Sequence, residues 1–561
     1  MSSFVKTFIF ALTCFLLQSE VSKSQQWLWA DQIGGNNSDV STGTTDGSGN
    51  FFIAGSFYGT YCQFLDQTLY AVGMPSNSMF LAKYDNNGNE KWVRQFNSGS
   101  LPQNCTDGVT NVITDNLGFV YITGLFYQSA TFGQFNLTSD NGDMFLAKFD
   151  SEGDCKWAVK AGGSGKDWGT GLAVDSSGGI YVCGQNLSTA MFGTIPVDTG
   201  GFLVKYDSTG ACYWAKKIVS YPGQNSSSAD VIFSGMTIFM DRLIACGYGG
   251  AGSAGFSIDT ATFSHPGQMG HILCCFDLNG AIKWTSEALT DGCVLSGINL
   301  TNDSTGNIYT VGEFGCSVGG SGVFINFPDT VLVSNSITYD LFIAKYSSLG
   351  NIIWARKINS DLISPPGTIV SDKIGNTYVS GAFNGTNIFG PDILVSETNK
   401  DMFLARYSPE GECYGGIHFG KAEGLELGLD MTGKPILAGT FGGTVNIGSQ
   451  SFTSRGGWDI FLAKCDNITG IGETKKTASN QLLIYANPNE GKCTVKFPDE
   501  FLNEKHLTLS IYDSQGKLIQ SVPVDTVEGK LSLNIEAEAK GIYNVILTNG
   551  RKNYSGKIVF N

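Results

Sequence analysis

Hydrophobic positions in Met79 to Trp92, MFLAKYDNNGNEKW, alternate: Phe80, Ala82 and Tyr84 fall on one face of an extended run, Leu81 and Lys83 on the other. That period of two is the pattern of a strand. Asp85-Asn86-Asn87-Gly88 then supplies a turn, with glycine where a positive φ costs least, and Trp92 follows seven residues after Asp85. The unit predicts a β-hairpin, and it recurs. Asp150 precedes Trp157, Asp207 precedes Trp214, Asp277 precedes Trp284 and Ser347 precedes Trp354 by the same seven residues, each with a glycine four before the tryptophan. A sixth copy, MFLARYSPEGECYG, keeps Gly411 but has Gly415 at the tryptophan position, and a seventh run, Ile460 to Asp466, has no tryptophan after it. A fixed offset across a turn holds register, because a slip of one residue would move every side chain to the wrong face.

Around each hairpin the pattern predicts a four-stranded unit. In the third repeat the strands are Trp157 to Lys160, Gly169 to Asp175, Gly179 to Gly184 and Phe202 to Asp207, with a variable segment around Phe192-Gly193. The Gly179 strand has counterparts in FFIAG at Phe51, FVYITG at Phe119, IYTVG at Ile308, TYVSG at Thr377 and PILAG at Pro435. Repeats of roughly sixty residues, each a small antiparallel sheet, predict an all-β seven-bladed β-propeller over 25–469. The ends are complementary: Trp27-Leu28-Trp29-Ala30 is a tryptophan strand without a hairpin partner, and Ile460 to Asp466 is the partner without its tryptophan. The expectation is a ring closed by pairing the two ends.

Composition sharpens this. Seventy-three glycines and 15% charged residues suit an all-β chain of many tight turns, and a net charge of −15 argues against nucleic acid or anionic membranes as partners. The apolar run Thr7 to Leu17 after Lys6 is too short to span a bilayer, and Ser22 and Ser24 precede a cleavage before Gln25. Residues 1–24 therefore read as a secretory signal peptide, leaving no transmembrane span in the mature protein. Thirteen cysteines remain beyond it, an odd number without metal-ligand spacing, suited to small apolar packing positions.

The copies resemble the SBBP-type β-propeller repeats of exported bacterial proteins. After a polar linker at 470–480, the pattern changes to LLIYANPNEGKCTVKF, LTLSIYDSQGKLIQSV, LSLNI, GIYNVILTNG and SGKIVF, short alternating strands that predict a small Ig-like β-sandwich over 481–561. Asn487-Pro488 with Gly491, Tyr512-Asp513 with Gly516-Lys517, Gly541-Ile542-Tyr543 and the terminal Lys557-Ile558-Val559 resemble the C-terminal sorting domain of the type IX secretion system of Bacteroidetes. Ala486 stands where that family usually has proline. The resemblance implies the type IX translocon and its sorting protease as partners, and a secreted or cell-surface destination.

Catalytic chemistry has few carriers. His265, His271, His418 and His506 show no paired ligand spacing, the Gly162-Gly163-Ser164-Gly165-Lys166 stretch lacks the phosphate-loop spacing, and no cofactor or metal is expected. The Asp-x-x-Gly turns lack the alternate oxygens of a calcium loop and read as hairpin turns. One constellation stands out: Asp39, Asp107 and Asp167 each lie three residues before a threonine at the entry to the innermost strand, with Asp230, Asp291 and Glu423 one or two places off. They would line one mouth of the central channel, either as a cation or sugar site or as caps on their own glycine-rich loops. The repeated tryptophans read as blade packing, whereas Trp168 and Trp458 break the pattern, fall in loops and are surface-binding candidates. The reading is an exported, non-catalytic binding or adhesion protein for a glycan or protein ligand. The alternative is a secreted glycan-active enzyme with carboxylates at the channel mouth.

Overall fold

A computed structural model describes residues 27–71, 77–98, 108–222, 231–249, 253–258, 261–264, 269–290, 299–315, 323–334, 339–358, 367–398, 400–420, 422–466, 468, 482–485, 491–498, 501, 507–513, 518–524, 529–535, 540–549 and 553–560. The chain divides into two compact units, Met1–Gly472 and Glu473–Asn561. Both are all-β, with no α-helix among the described residues. No described helix is long and apolar enough to cross a membrane.

The first unit is a β-propeller built from a four-stranded antiparallel repeat. In the second sheet the strands are Gly108–Thr114, Val120–Phe126, Asp143–Phe149 and Cys155–Gly163, paired in chain order. Its third strand is buried on both faces, because alternate residues enter two different cores. The first sheet shows how. Phe80, Ala82 and Tyr84 pack with Ile436, Ala438, Ile460 and Leu462 of the last sheet, whereas Met79 and Leu81 pack with Val120, Ile122, Phe145 and Ala147 of the next. Burying one such side chain is worth about 1.5–3 kcal/mol. A strand between two neighbours is thus apolar along its whole length, and only the strand at the outer edge can be polar.

The innermost strands touch in a cycle. Asp39–Thr45 meets Gly108–Thr114, which meets Asp167–Val174, then Val231–Phe239, Asn299–Asn302, Ile369–Ser371 and Ala422–Leu429, which returns to Asp39–Thr45. Bulged threonines bridge some of these steps: Thr110 Oγ1 donates to Gly169 O at 2.6 Å and Thr170 Oγ1 to Phe233 O at 2.7 Å. The last sheet is completed by the chain's other end, with Trp29 opposite Lys464, Ala30 opposite Ala463 and Gln32 opposite Phe461.

The variable segment between second and third strands is a further hairpin that reaches back to the preceding sheet. Ala190–Phe192 pairs with Ile195–Val197 and also with Ala161, Gly162 and Gly163 at the end of the previous fourth strand. Equivalent hairpins extend the first, third, fourth and last sheets to six strands.

Each repeated tryptophan lies under the turn of the next sheet. The turn at Asp150 is closed by Gly153 N donating to Asp150 O at 3.0 Å, and its side chain accepts from Glu152 N and Asp154 N at 3.1 and 2.9 Å. Gly153 has φ 80°, and a Cβ there would lie 2.9 Å from the Trp92 ring. The Trp92 indole N–H donates to Ser151 O at 3.0 Å. Trp29, Trp157 and Trp354 repeat the bond to Asn86, Ser208 and Pro409. Trp214 and Trp284 make the same ring contact with Gly280 and Gly350, but their indole N–H groups are buried without an acceptor. The repeat with Gly415 in place of tryptophan precedes the sheet whose third and fourth strands come from opposite ends of the chain. Among the described residues no turn joins those two strands for a tryptophan to pack beneath.

The second unit is a β-sandwich. A sheet of Leu483–Tyr485, Lys492–Lys496 and Lys530–Asn534 accompanies one ordered Leu518–Val524, Leu507–Tyr512, Gly541–Thr548, Asn553–Phe560. Val495, Leu509, Ile511, Val545, Leu547 and Ile558 form a solvent-free core.

Candidate functional site

The candidate carboxylates sit where the fourth strand of one sheet passes to the first strand of the next. In two of these junctions a Gly-Gly pair ends the fourth strand and an aspartate follows four residues after its second glycine. Asp39 Oδ2 accepts from Gly35 N at 3.0 Å, and Asp167 Oδ2 accepts from Gly163 N at 2.9 Å. Both aspartates are 0% exposed, and each accepts from the glycine N–H of the loop before it. Burial is the main cause that pushes Asp39 up to about 8, the Gly35 N–H works against it, and Asp459 adds to it. Burial, with Asp143 beside it, pushes Asp167 up to about 7. Asp107, Asp230 and Asp291 lie outside the described residues.

Asp459 and Asp143 belong to a set that the sequence reading missed. It is the aspartate just before the apolar run of the third strand in Asp143-Met144-Phe145, Asp340-Leu341-Phe342, Asp401-Met402-Phe403 and Asp459-Ile460-Phe461. The signal was legible, one residue upstream of the run used to find the repeats. Each is answered from one position of the fourth strand. Lys160 Nζ lies 2.8 Å from Asp143, Lys357 Nζ 3.4 Å from Asp340, His418 Nδ1 3.2 Å from Asp401, and Gln32 Nε2 donates to Asp459 at 2.6 Å. His418, set aside in the sequence for want of a second histidine, thus takes the place of a lysine. Beside it Lys400 Nζ bonds Glu423 Oε1 at 2.7 Å. Burial pushes Glu426 up to about 8, and Thr368 Oγ1 donates to its Oε2 at 3.3 Å. His271 is fully buried, and burial pushes it down to about 4.

The pattern-breaking tryptophans are not in loops as the sequence suggested: Trp168 lies in the strand Asp167–Val174 and Trp458 in Gln450–Cys465, because each pairs in the ladder of its own sheet. Trp168 is half-buried beside Asp167 with the Lys166 ammonium 5.5 Å from its ring, and half-buried Trp458 lies against Gly442 in the last sheet. Among the described residues no three His, Cys, Asp or Glu side chains converge, and the described cysteines are all free thiols.

In the second unit, Gly491 O accepts from Ile535 N at 2.7 Å and Gly491 has φ 101°, a conformation that favours glycine. Gly541 opens its strand in an extended conformation, and Tyr543 is 5% exposed in the core. Lys557 lies on the terminal strand opposite Asn544. Asn487, Pro488, Gly516 and Lys517 fall outside the described residues.

Comparison with known proteins agrees with both halves of this description. Residues 156–185 match a family model described as a beta-propeller repeat, and residues 483–561 match the secretion system C-terminal sorting domain. An uncharacterized WD repeat-containing protein of Acanthamoeba polyphaga mimivirus is 22% identical over 519 residues, covering 75% of this chain and 36% of that protein. The chain therefore spans about a third of the length of the curated relative it matches, 36%. Among solved structures, the plexin A4 extracellular region is similar at 8% identity and TM-score 0.37, covering 93% of this chain and 66% of that one. A duf4221 family member from Bacteroides vulgatus is similar at 10% identity and TM-score 0.28, covering 63% and 90%. A glycoside hydrolase family 32 structure from Bifidobacterium adolescentis is similar at 9% identity and TM-score 0.25, covering 95% of both chains. The SBBP repeat and the type IX sorting tail together mark an exported β-propeller protein, carried to the cell surface or beyond.

Proposed function

We propose that this is a non-catalytic binding or adhesion protein, a closed seven-bladed propeller displayed outside the cell by its tail. The observation that carries the reading is that the shared repeat residues are engaged inside the ring. The tryptophans lie under neighbouring turns, and Asp39 and Asp167 are 0% exposed against glycine N–H groups. What differs between repeats is left to contact a ligand, the loops and outer hairpins on a rigid frame. A glycan-active enzyme would instead need two carboxylates open to substrate, about 5–9.5 Å apart. The cycle of innermost strands and the pairing of Trp29 with Lys464 support the seven-blade count and the closure.

The tail would be recognised by the type IX translocon and removed by its sorting protease, after a signal peptide at 1–24 has driven the first crossing. Residues 1–26 lie outside the described residues. The test is a glycan and protein binding screen of the full exported protein, run beside a hydrolysis assay on the same glycans. Saturable binding without turnover is expected. Turnover abolished by Asp167→Asn would overturn the reading in favour of an enzyme.

A further inference from the structure

One junction departs from the repeat in a way that points to a ligand. The second residue after the glycine of the second strand is Phe57, Phe126, Phe314, Phe383 or Phe441 in five sheets and Gly249 in another, but Asn186 in the third. Asn186 is fully buried. Its amide nitrogen donates to Ser188 O, Val197 O and Asp198 O at 2.6, 2.9 and 3.0 Å, which fixes the orientation of the amide. Its Oδ1 is left buried without a partner.

Asn186 is directly opposite Asp167 in the ladder, so both side chains leave the sheet on the same face. Asp167 Oδ1 is also buried without a partner, and so is Oδ1 of Asp143, whose charge acts on Asp167. Asp167 N donates to Gly142 O at 2.9 Å, tying the strand that carries Asp167 to the residue before Asp143. The other carboxylate oxygens are engaged, Asp143 Oδ2 by Lys160 Nζ at 2.8 Å and Asp167 Oδ2 by Gly163 N at 2.9 Å. Three acceptor oxygens from two sheets are thus left unanswered at this junction. A proton on Asp167 answers one of the other two oxygens, the amide or Asp143, and leaves the third, whereas a cation answers all three.

We propose that Asp143, Asp167 and Asn186 form a binding site for a hard divalent cation of the calcium class at the junction of the second and third blades. The donor set is oxygen only, two carboxylates and an amide, which suits calcium and disfavours zinc or copper. Water and loop carbonyls complete the coordination. The site revises the sequence expectation of no metal, and it stands whether the propeller binds or catalyses. It does not extend to Asp39 and Asp459. There Phe57 replaces the amide, and the Arg455 charge already acts on both carboxylates.

The test is thermal melting and calorimetric titration of the full exported protein, stripped with EGTA and titrated with CaCl2. A rise in melting temperature with half-effect near 0.1–1 mM is expected, roughly the range of extracellular calcium modules. Asn186→Phe, which restores the residue of the other blades, and Asp167→Asn, which keeps an acceptor for Gly163 N, should each weaken the half-effect by about tenfold or more, equivalent to about 1.4 kcal/mol. If the phenylalanine variant does not fold, Asp167→Asn decides alone. A wild-type protein indifferent to CaCl2 up to about 10 mM, well above that range, would overturn the proposal. So would an unchanged half-effect in a folded Asp167→Asn protein.

Discussion

Aspartates recur at both ends of the blades, and the two sets differ in how they are answered. At the hairpin end, Asp175 Oδ1 accepts from Ser177 N, Gly179 N and Ser177 Oγ, while its Oδ2 accepts from Tyr181 OH and Lys205 Nζ. Burial works against ionising Asp430, yet the Lys464 ion pair, Thr432 and the backbone N–H groups of Thr432 and Lys434 outweigh it and hold the carboxyl at about 2. At the junction end, burial dominates, and Asp39, Asp143, Asp167 and Asp459 are all raised, each with one oxygen lacking a partner. The difference is one of supply. A carboxylate at the start of its own tight turn meets N–H groups that the turn itself presents. At Asp39 and Asp167 a single loop N–H is supplied and a second carboxylate acts on each, whereas Asp401 at the same end accepts from Glu397 N, Thr398 N and Thr398 Oγ1.

The hairpin end should therefore carry stability, and the largest effect should come from removing what closes it. Trimming the chain to begin at Gly34 deletes the strand that pairs with Ile460–Cys465 and the Trp29 contact with Gly88. Calorimetry should then show loss of the single cooperative transition, and sizing should show association through the exposed edge. Next, Trp92→Ala should cost about 3–5 kcal/mol in denaturant melts, as large-to-small core changes do. Trp168→Ala at the junction end, half-buried and outside any turn, should cost less; equal losses would erase the contrast. Asp430→Ala leaves Lys464 buried, both side chains being 3–4% exposed, and should cost about 3 kcal/mol, as breaking a buried pair does.

How much of this was legible follows from the same physics. The period-two runs and the fixed tryptophan offset located the hairpins, because register leaves little freedom once both faces of a strand are buried. The pairing of Trp29 with the last run followed from the missing halves at the two ends. The outer hairpins did not follow. Ala190–Phe192 and Ile195–Val197 are three residues each, and their partner is the previous repeat, which local pattern does not reveal. The Asp143 position was legible as a recurrent aspartate one residue before the apolar run, but its partners were not, and Asn186 was missed outright. What faces them lies across a sheet or a blade boundary, and the sequence displays only what precedes and follows them.

A pH profile bears most directly on the contrast. Asp39 in the fold is raised to about 8, against an ordinary value near 4 when unfolded. Its contribution is fully present below pH of about 4 and is lost as pH rises through about 8, at no more than roughly 1.4 kcal/mol for each pH unit crossed. Asp39→Asn keeps an acceptor for Gly35 N and cannot ionise. Thermal melting of the wild-type protein and Asp39→Asn in EGTA, from about pH 5 to 9, measures the difference. The account predicts that the two midpoints lie close at the acid end, and that the wild type falls progressively below the variant toward pH 9. Parallel curves across that range would contradict it, and Asp39 would then be as well answered as the turn aspartates.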